Sequence, residues 1–148
     1  MPSANFCVSK LVVSLYPVRT LDDAELFIRT RTANTHQLGT DRAKILKRLR
    51  GRGRLAFVVK DGMGLSLGTA SITESEAAIG VVGIALLPEA QGKGYGRLIL
   101  RQLELIAAEH GYIALRADIF DDNNGAIALF SRSGYRRYSL FEKPIPAV

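Results

Sequence analysis

The sequence is poor in the residues that build disulfides, metal sites and membrane spans. Cys7 is the only cysteine, which excludes an internal disulfide and a cysteine cluster for zinc. The two histidines, His36 and His110, lie far apart in the sequence and predict no metal site. No apolar run approaches the roughly 20 residues that a membrane-spanning helix needs. The apolar run 11–16 is short and no small-residue cleavage site follows it, so it does not indicate a signal peptide. We therefore expect a cytoplasmic protein without a metal.

The remaining composition is that of an ordinary globular domain with a basic excess. A chain of 148 residues, 47% hydrophobic and 23% charged, predicts a single domain over residues 1–148. The net charge is +6, and basic residues concentrate between Arg42 and Arg54. A solvated helix face explains such a run most simply, and a patch for an anionic partner is the alternative. The run contains no aromatic residue to stack on bases, so nucleic acid is the less favoured partner.

Hydrophobic periodicity predicts strands and helices that alternate along the chain. Strands are expected at 11–18, 55–60, 66–72, 76–86, 112–120 and 135–141, and helices at 21–31, 41–50, 95–109 and 124–133. Residues 34–39 form a polar break, and residues 61–64 form the turn of a hairpin. This order indicates an α/β (α+β) fold with a mixed sheet.

A glycine-rich turn lies between the apolar strand 76–86 and the helix 95–109. Residues 91–96 read Gln-Gly-Lys-Gly-Tyr-Gly. Glycines let the backbone approach an anion closely, and a helix N-terminus adds positive potential. The pattern is neither a P-loop nor a dinucleotide fingerprint, because the glycines recur at every second position behind Gln91. The turn therefore predicts a site for a pyrophosphate or a similar anion.

A second segment, from Asn123 to Tyr135, reads as a capped helix that a glycine stops. Together the two segments resemble the GNAT superfamily of acyl-CoA-dependent N-acetyltransferases. That family carries Gln/Arg-x-x-Gly-x-Gly/Ala after its fourth strand and Asn-x-x-Ala-x-x-Leu-Tyr-x-x-x-Gly-Phe/Tyr about 30 residues later. Order and spacing both fit over roughly residues 76–135, and the fit is looser over 11–75.

The resemblance implies a fold, a cosubstrate and a set of site residues. The sheet would be mixed, mostly antiparallel, flanked by helices, and splayed between strands 4 and 5, with acetyl-CoA in the gap. The implied cofactor-binding residues are Ile84, Ala85, Leu86, Gln91, Gly92, Lys93, Gly94, Tyr95, Gly96, Arg97 and Asn123. A backbone N–H near Leu86 would polarise the thioester carbonyl, and Gly83 suggests a bulge that frees it.

Two acidic positions are candidate general bases. Asp118 lies in the predicted strand 112–120, and several relatives place a catalytic Glu there. Glu76, together with Glu74, is the rival at the start of the fourth strand. Phe130 stands where the family usually has a Tyr that protonates the leaving thiolate, and a phenyl ring has no proton to donate.

The resemblance predicts an N-acetyltransferase that acts on a primary amine of a small molecule or a protein by direct attack in a ternary complex. One alternative is a non-catalytic acyl-CoA-binding module, which Phe130 favours. Another is a transferase that acts on an aminoacyl-RNA, which the basic run favours. A homodimer is a further alternative for the assembly. The sequence does not define the acceptor.

Overall fold

The structure, a computed structural model, describes residues 11–33 and 41–147. The chain divides after Asp118 into two compact units. In chain order the elements are β1 (Val13–Pro17), α1 (Leu21–Ala33), α2 (Arg42–Leu49), β2 (Arg54–Asp61), β3 (Ser66–Glu76), β4 (Ile79–Leu86), a 3-10 turn (Pro88–Ala90), α3 (Tyr95–Glu109), β5 (Ala114–Arg116) and α4 (Asn124–Arg132). The predicted polar break at 34–39 lies outside the described residues.

A five-stranded sheet with the order β1-β2-β3-β4-β5 forms the centre of the first unit. Neighbouring strands are antiparallel from β1 to β4, and β5 runs parallel to β4. The β2–β3 hairpin closes where expected, because the Asp61 carboxylate accepts hydrogen bonds from the N–H groups of Met63 and Leu65, both at 2.9 Å. The predicted mixed, mostly antiparallel sheet is confirmed.

Helix starts in the first unit follow local side-chain signals. The Thr20 hydroxyl accepts from the N–H of Asp23, and the Asp23 carboxylate accepts from the N–H of Thr20, which is the reciprocal pattern of a capping box. At the second helix, the Asp41 carboxylate accepts from the N–H groups of Ala43 and Lys44. These caps explain why α1 and α2 begin where the sequence predicts them.

Apolar side chains cover both faces of the sheet. Ala56 and Val58 of β2 belong to one core cluster with residues of α1 and α2. Side chains alternate along a strand, so Val59, which is fully buried, faces the opposite side. Helix α3 packs on β1, β3 and β4, and it buries Ile99 and Leu103 completely. Among the described residues, no helix has the length and apolar content needed to cross a bilayer.

Strand boundaries differ from the sequence prediction at two places in the first unit. Strand β3 continues to Glu76, and Ala78 turns the chain at a φ of 65° before β4 begins at Ile79. The predicted start of the fourth strand at Glu76 is therefore wrong. Strand β5 covers only Ala114–Arg116 instead of 112–120, because β4 offers it only three paired residues.

In its described part, 119–147, the second unit contains one helix. The Asn123 side chain caps α4 by accepting from the N–H of Ala126 at 3.1 Å. The rings of Phe130 and Tyr135 pack edge to face, with centroids 5.0 Å apart. The predicted final strand 135–141 is wrong, since the described residues after α4 form no strand. A strand needs a hydrogen-bonding neighbour, and apolar alternation alone cannot supply one.

Candidate active site

The turn at 91–96 needs glycine at two positions for conformational reasons. Gly92 has a φ of 72° and Gly94 has a φ of 91°, in the left-handed region that other L-residues enter at a cost. A Cβ at Gly92 would meet no atom within 4 Å, and a Cβ at Gly94 would touch only Leu11, at 3.4 Å. Backbone conformation, and not crowding, therefore explains these two glycines.

Helix α3 begins directly after this turn without a side-chain cap. Gly94 occupies the N-cap position and has no side chain to accept from the first N–H groups. The amides of Tyr95, Gly96 and Arg97 therefore lie at an open, electropositive helix end. Lys93 and Arg97 are exposed, and within the described chain neither forms a salt bridge. The turn and the helix start therefore have the geometry and the charge that could hold an anion.

The half of β4 that leads into this turn has one unpaired edge. Pairing with β5 ends at Val81, opposite Arg116, and no other described strand pairs with Val82–Leu86 on that side. The two parallel strands therefore separate beyond Val81. This is the predicted splay between strands 4 and 5.

Backbone directions along β4 identify the groups at the unpaired edge. The N–H of Leu87 donates to Leu67 O at 2.8 Å, towards β3. Because N–H and C=O directions alternate along a strand, the groups of Leu86 and Ile84 point away from β3, into the splay. The Gln91 side chain confirms this direction for Leu86, since its Nε2 donates to Leu86 O at 3.0 Å. The Leu86 N–H and both backbone groups of Ile84 remain directed into the splay.

Ala85 and Gly83 of β4 do not direct backbone groups into the splay. Ala85 lies opposite Thr69, and by the same alternation its backbone groups point towards β3. Gly83 pairs regularly with Ser71, so the expected bulge at Gly83 is wrong; the irregularity lies between Glu74 and Glu76 in β3. Within residues 11–33 and 41–147, no strand pairs with this edge beyond Val81, so its N–H groups can face the splay without a bulge.

The two candidate bases follow different strands: Glu76 ends β3, and Asp118 comes after β5. Glu76, at the end of β3, accepts from Arg116 Nη1 at 2.8 Å, and its side chain is 61% exposed. Asp118 is exposed, two residues beyond β5, and among the described residues it forms no salt bridge. Glu76 is thus held by a cation, whereas the Asp118 carboxylate is not.

A shallow cavity of about 400 Å³ lies at the end of the sheet where β4 starts. Glu74 and Tyr112 are among its lining residues, together with Gly53, Ala78 and Gly111. Burial, and secondly the Glu74 carboxylate, raise the pKa of the Tyr112 phenol. No local sequence pattern marks Tyr112, because only the fold brings the α3–β5 connection next to the end of β3.

Sequence comparison decides the family. The acetyltransferase (GNAT) family profile matches residues 21–135, which include the glycine turn and the segment from Asn123. The chain belongs to the GNAT family. A comparison with curated protein sequences finds no match.

Solved structures show the same fold at low sequence identity. Spermidine N-acetyltransferase from Vibrio cholerae in complex with CoA and spermine has a TM-score of 0.75 and 15% identity, over 86% of this chain and 82% of that chain. Glucosamine-6-phosphate N-acetyltransferase from Arabidopsis thaliana has a TM-score of 0.69 and 14% identity, over 90% of this chain and 98% of that chain. An acetyltransferase from Trypanosoma brucei has a TM-score of 0.66 and 16% identity, over 93% of this chain and 100% of that chain. The GNAT fold of this chain is thus shared with N-acetyltransferases.

Proposed function

We propose that this GNAT protein transfers an acetyl group from acetyl-CoA to a primary amine by direct attack in a ternary complex, with residues 1–148 acting as one domain. The observation that carries the proposal is the glycine turn. Its two left-handed glycines lead into an uncapped helix, next to the strand edge at which Ile84 and Leu86 present backbone groups. An anion site beside an open strand edge fits a ligand that joins a pyrophosphate to an amide-containing arm.

The residues present fit acetyl-CoA in chemical type. The amides and cations from Gly92 to Arg97 would bind the pyrophosphate. Amide groups of the pantetheine arm would pair with the N–H and C=O of Ile84 as a strand would, and the N–H of Leu86 is left for the thioester end. Gln91 contributes by holding the Leu86 carbonyl and thereby fixing the turn against β4. Ala85 would add side-chain contact, and Asn123 a polar group at the start of α4. Acetyl-CoA supplies the activated thioester.

Two tasks remain for the protein during transfer. The acceptor must lose a proton before it attacks, and we assign this to Asp118, with Glu76 and Glu74 as the rival groups. Asp118 is preferred because Arg116 already holds Glu76. The thioester carbonyl must be polarised, and the N–H of Leu86 is the proposed donor because it points into the splay.

The departing thiolate receives no proton from Phe130, whose ring has no hydroxyl. Water, Ser131, Tyr135 or Tyr138 would then protonate it. A thiolate is a good leaving group, so the loss of this acid slows transfer without abolishing it. The same residue favours the second candidate function, a GNAT-fold module that binds acyl-CoA without turnover.

The acceptor class is proposed from the GNAT neighbours. Two of them are named for amines, spermidine and glucosamine-6-phosphate. Both carry an aliphatic amine, which is nucleophilic once deprotonated. We therefore expect an aliphatic primary amine as the acceptor of this chain.

Thiol release from acetyl-CoA tests the proposed function. Purified protein is incubated with acetyl-CoA and with spermidine, glucosamine-6-phosphate, a lysine peptide, a peptide with a free N-terminus, or an aminoacyl-RNA. We expect amine-dependent release with at least one acceptor, and mass spectrometry should find the acetylated amine. Binding of acetyl-CoA without release for any acceptor class would instead support the non-catalytic module.

A further inference from the structure

All of the net positive charge of this protein comes from one short segment. Residues 42–54 contain seven Lys and Arg side chains and no Asp or Glu. Because the whole chain carries a net charge of +6, the remaining residues together carry −1. The basic character is therefore a property of one surface and not of the protein as a whole.

The fold directs most of this charge to solvent. Ile45 and Leu49 of α2 are buried in the core cluster with α1 and β2. The helical repeat of 3.6 residues then places the intervening basic residues on the opposite face. The exposed cations of the segment beyond Arg42 are Lys44, Lys47, Arg48, Arg50 and Arg52, named here the cationic face.

Acidic groups do not neutralise the cationic face. Arg42 pairs with Glu25 at 2.7 Å, but none of the five residues of the cationic face forms a salt bridge within the part of the chain that the structure describes. The cations also crowd one another: burial, and secondly the charge of Arg48, lower the pKa of the neighbouring Arg54. An anionic partner would relieve this repulsion.

The cationic face is separate from the proposed acetyl-CoA turn. Arg54 starts β2 opposite Thr73, near the end of β3, which is the end of the sheet where β4 begins. The glycine turn follows the other end of β4, and eight residues of strand span roughly 25 Å. The cations that adjoin Arg54 in the sequence therefore lie too far from the turn to bind the pyrophosphate.

We propose that the cationic face docks the phosphodiester backbone of a folded RNA. Arginine binds phosphate oxygens in a bidentate manner, and three of the five residues of the face are arginines. The segment 42–54 has no aromatic residue on which unpaired bases could stack, which favours contact with the backbone of a paired region. The burial of Ile45 and Leu49 leaves α2 no apolar face to insert into a membrane.

The partner also follows from the acceptor chemistry. This step rests on the proposed function: the acceptor is an aliphatic amine. Among nucleic acids, an aminoacylated RNA carries such an amine, whereas the exocyclic amines of DNA bases are poor nucleophiles. The inferred acceptor is therefore the amino group of an aminoacylated RNA, with the cationic face binding its backbone.

Binding is tested with deacylated tRNA, without acetyl-CoA, by fluorescence anisotropy between 50 and 200 mM salt. If the five cations neutralise five phosphates, affinity should fall about 500-fold over this range, and about 40-fold for the double variant Lys47→Gln with Arg48→Gln. The control Arg101→Gln with Arg132→Gln removes the same charge from exposed sites elsewhere and should follow the wild-type salt dependence.

Several results would overturn the inference. They are no tRNA binding at 50 mM salt, an equal loss in the control variant, or equal binding of poly-glutamate, duplex DNA or phosphatidylserine vesicles. If a variant folds poorly, the salt dependence of tRNA binding by the wild type still measures how many phosphates the protein neutralises. A separate melting experiment with acetyl-CoA and no RNA tests the proposed function, so the two failures are distinguishable.

Discussion

The glycine turn allows a quantitative test of the acetyl-CoA site through Gly94→Asp. At a φ of 91°, an L-residue costs about 1 kcal/mol of folding free energy, or roughly 3 °C in melting temperature for a chain of this size. The added carboxylate would also lie beside the proposed pyrophosphate. Acetyl-CoA at 100 times its Kd should stabilise the wild type by about 2.7 kcal/mol. We expect Gly94→Asp to lose most of that stabilisation.

Gly64 provides the matched control. It has a φ of 84° in the β2–β3 turn, and a Cβ there would meet no atom within 4 Å. Gly64→Asp thus adds the same charge at the same kind of backbone position, in a turn that is not part of the proposed site. It should show a similar intrinsic destabilisation and keep the full response to acetyl-CoA. The variant Gly94→Asn separates charge repulsion from backbone strain, because it has nearly the same shape without the charge.

Differential scanning fluorimetry with and without acetyl-CoA measures all four proteins. A wild-type melting temperature that acetyl-CoA does not change would refute the cosubstrate assignment. An equal loss of response in Gly64→Asp and Gly94→Asp would refute the assignment of the site to this turn.

Three further predictions concern individual side chains. Asp118→Asn should lower turnover about 10²- to 10⁴-fold with little change in acetyl-CoA affinity. If Asp118→Asn leaves turnover unchanged and Glu76→Gln lowers it, the general base is Glu76 instead. Phe130→Tyr should raise the acetylation rate if thiolate protonation limits it; a stability loss of about 1–3 kcal/mol without a gain in rate would show that the ring does not face the cofactor. Because the folded-state pKa of Tyr112 is raised, its contribution to stability is complete below the unfolded pKa of about 10 and is lost as pH rises through the folded value. Tyr112→Phe should therefore flatten the alkaline decline of the unfolding free energy, measured by denaturant titration, and an unchanged decline would contradict this.

Local signals in the sequence were sufficient for the helices and for the conformation of the glycine turn. The predicted helix 95–109 coincides with α3. Its apolar spacing and the glycines before it are signals that depend only on residues close in the sequence. Asn123 caps its helix as the sequence predicts, and Thr20 and Asp41 cap theirs by the same local kind of hydrogen bond. At Gly92 and Gly94 the positive φ explains the residue choice, so these positions were readable before any tertiary contact was known.

Tertiary structure determined the lengths of the strands and which of their backbone groups face an unpaired edge. Glu76 belongs to β3, β5 has three residues, and 135–141 is not a strand, because strand length depends on a partner distant in sequence. The direction of the Leu86 N–H likewise follows from its register with β3 and from the divergence of β5, and neither is encoded near Leu86 itself. Helix signals act over one turn of chain, whereas hydrogen bonds between strands join residues that only the completed fold brings together.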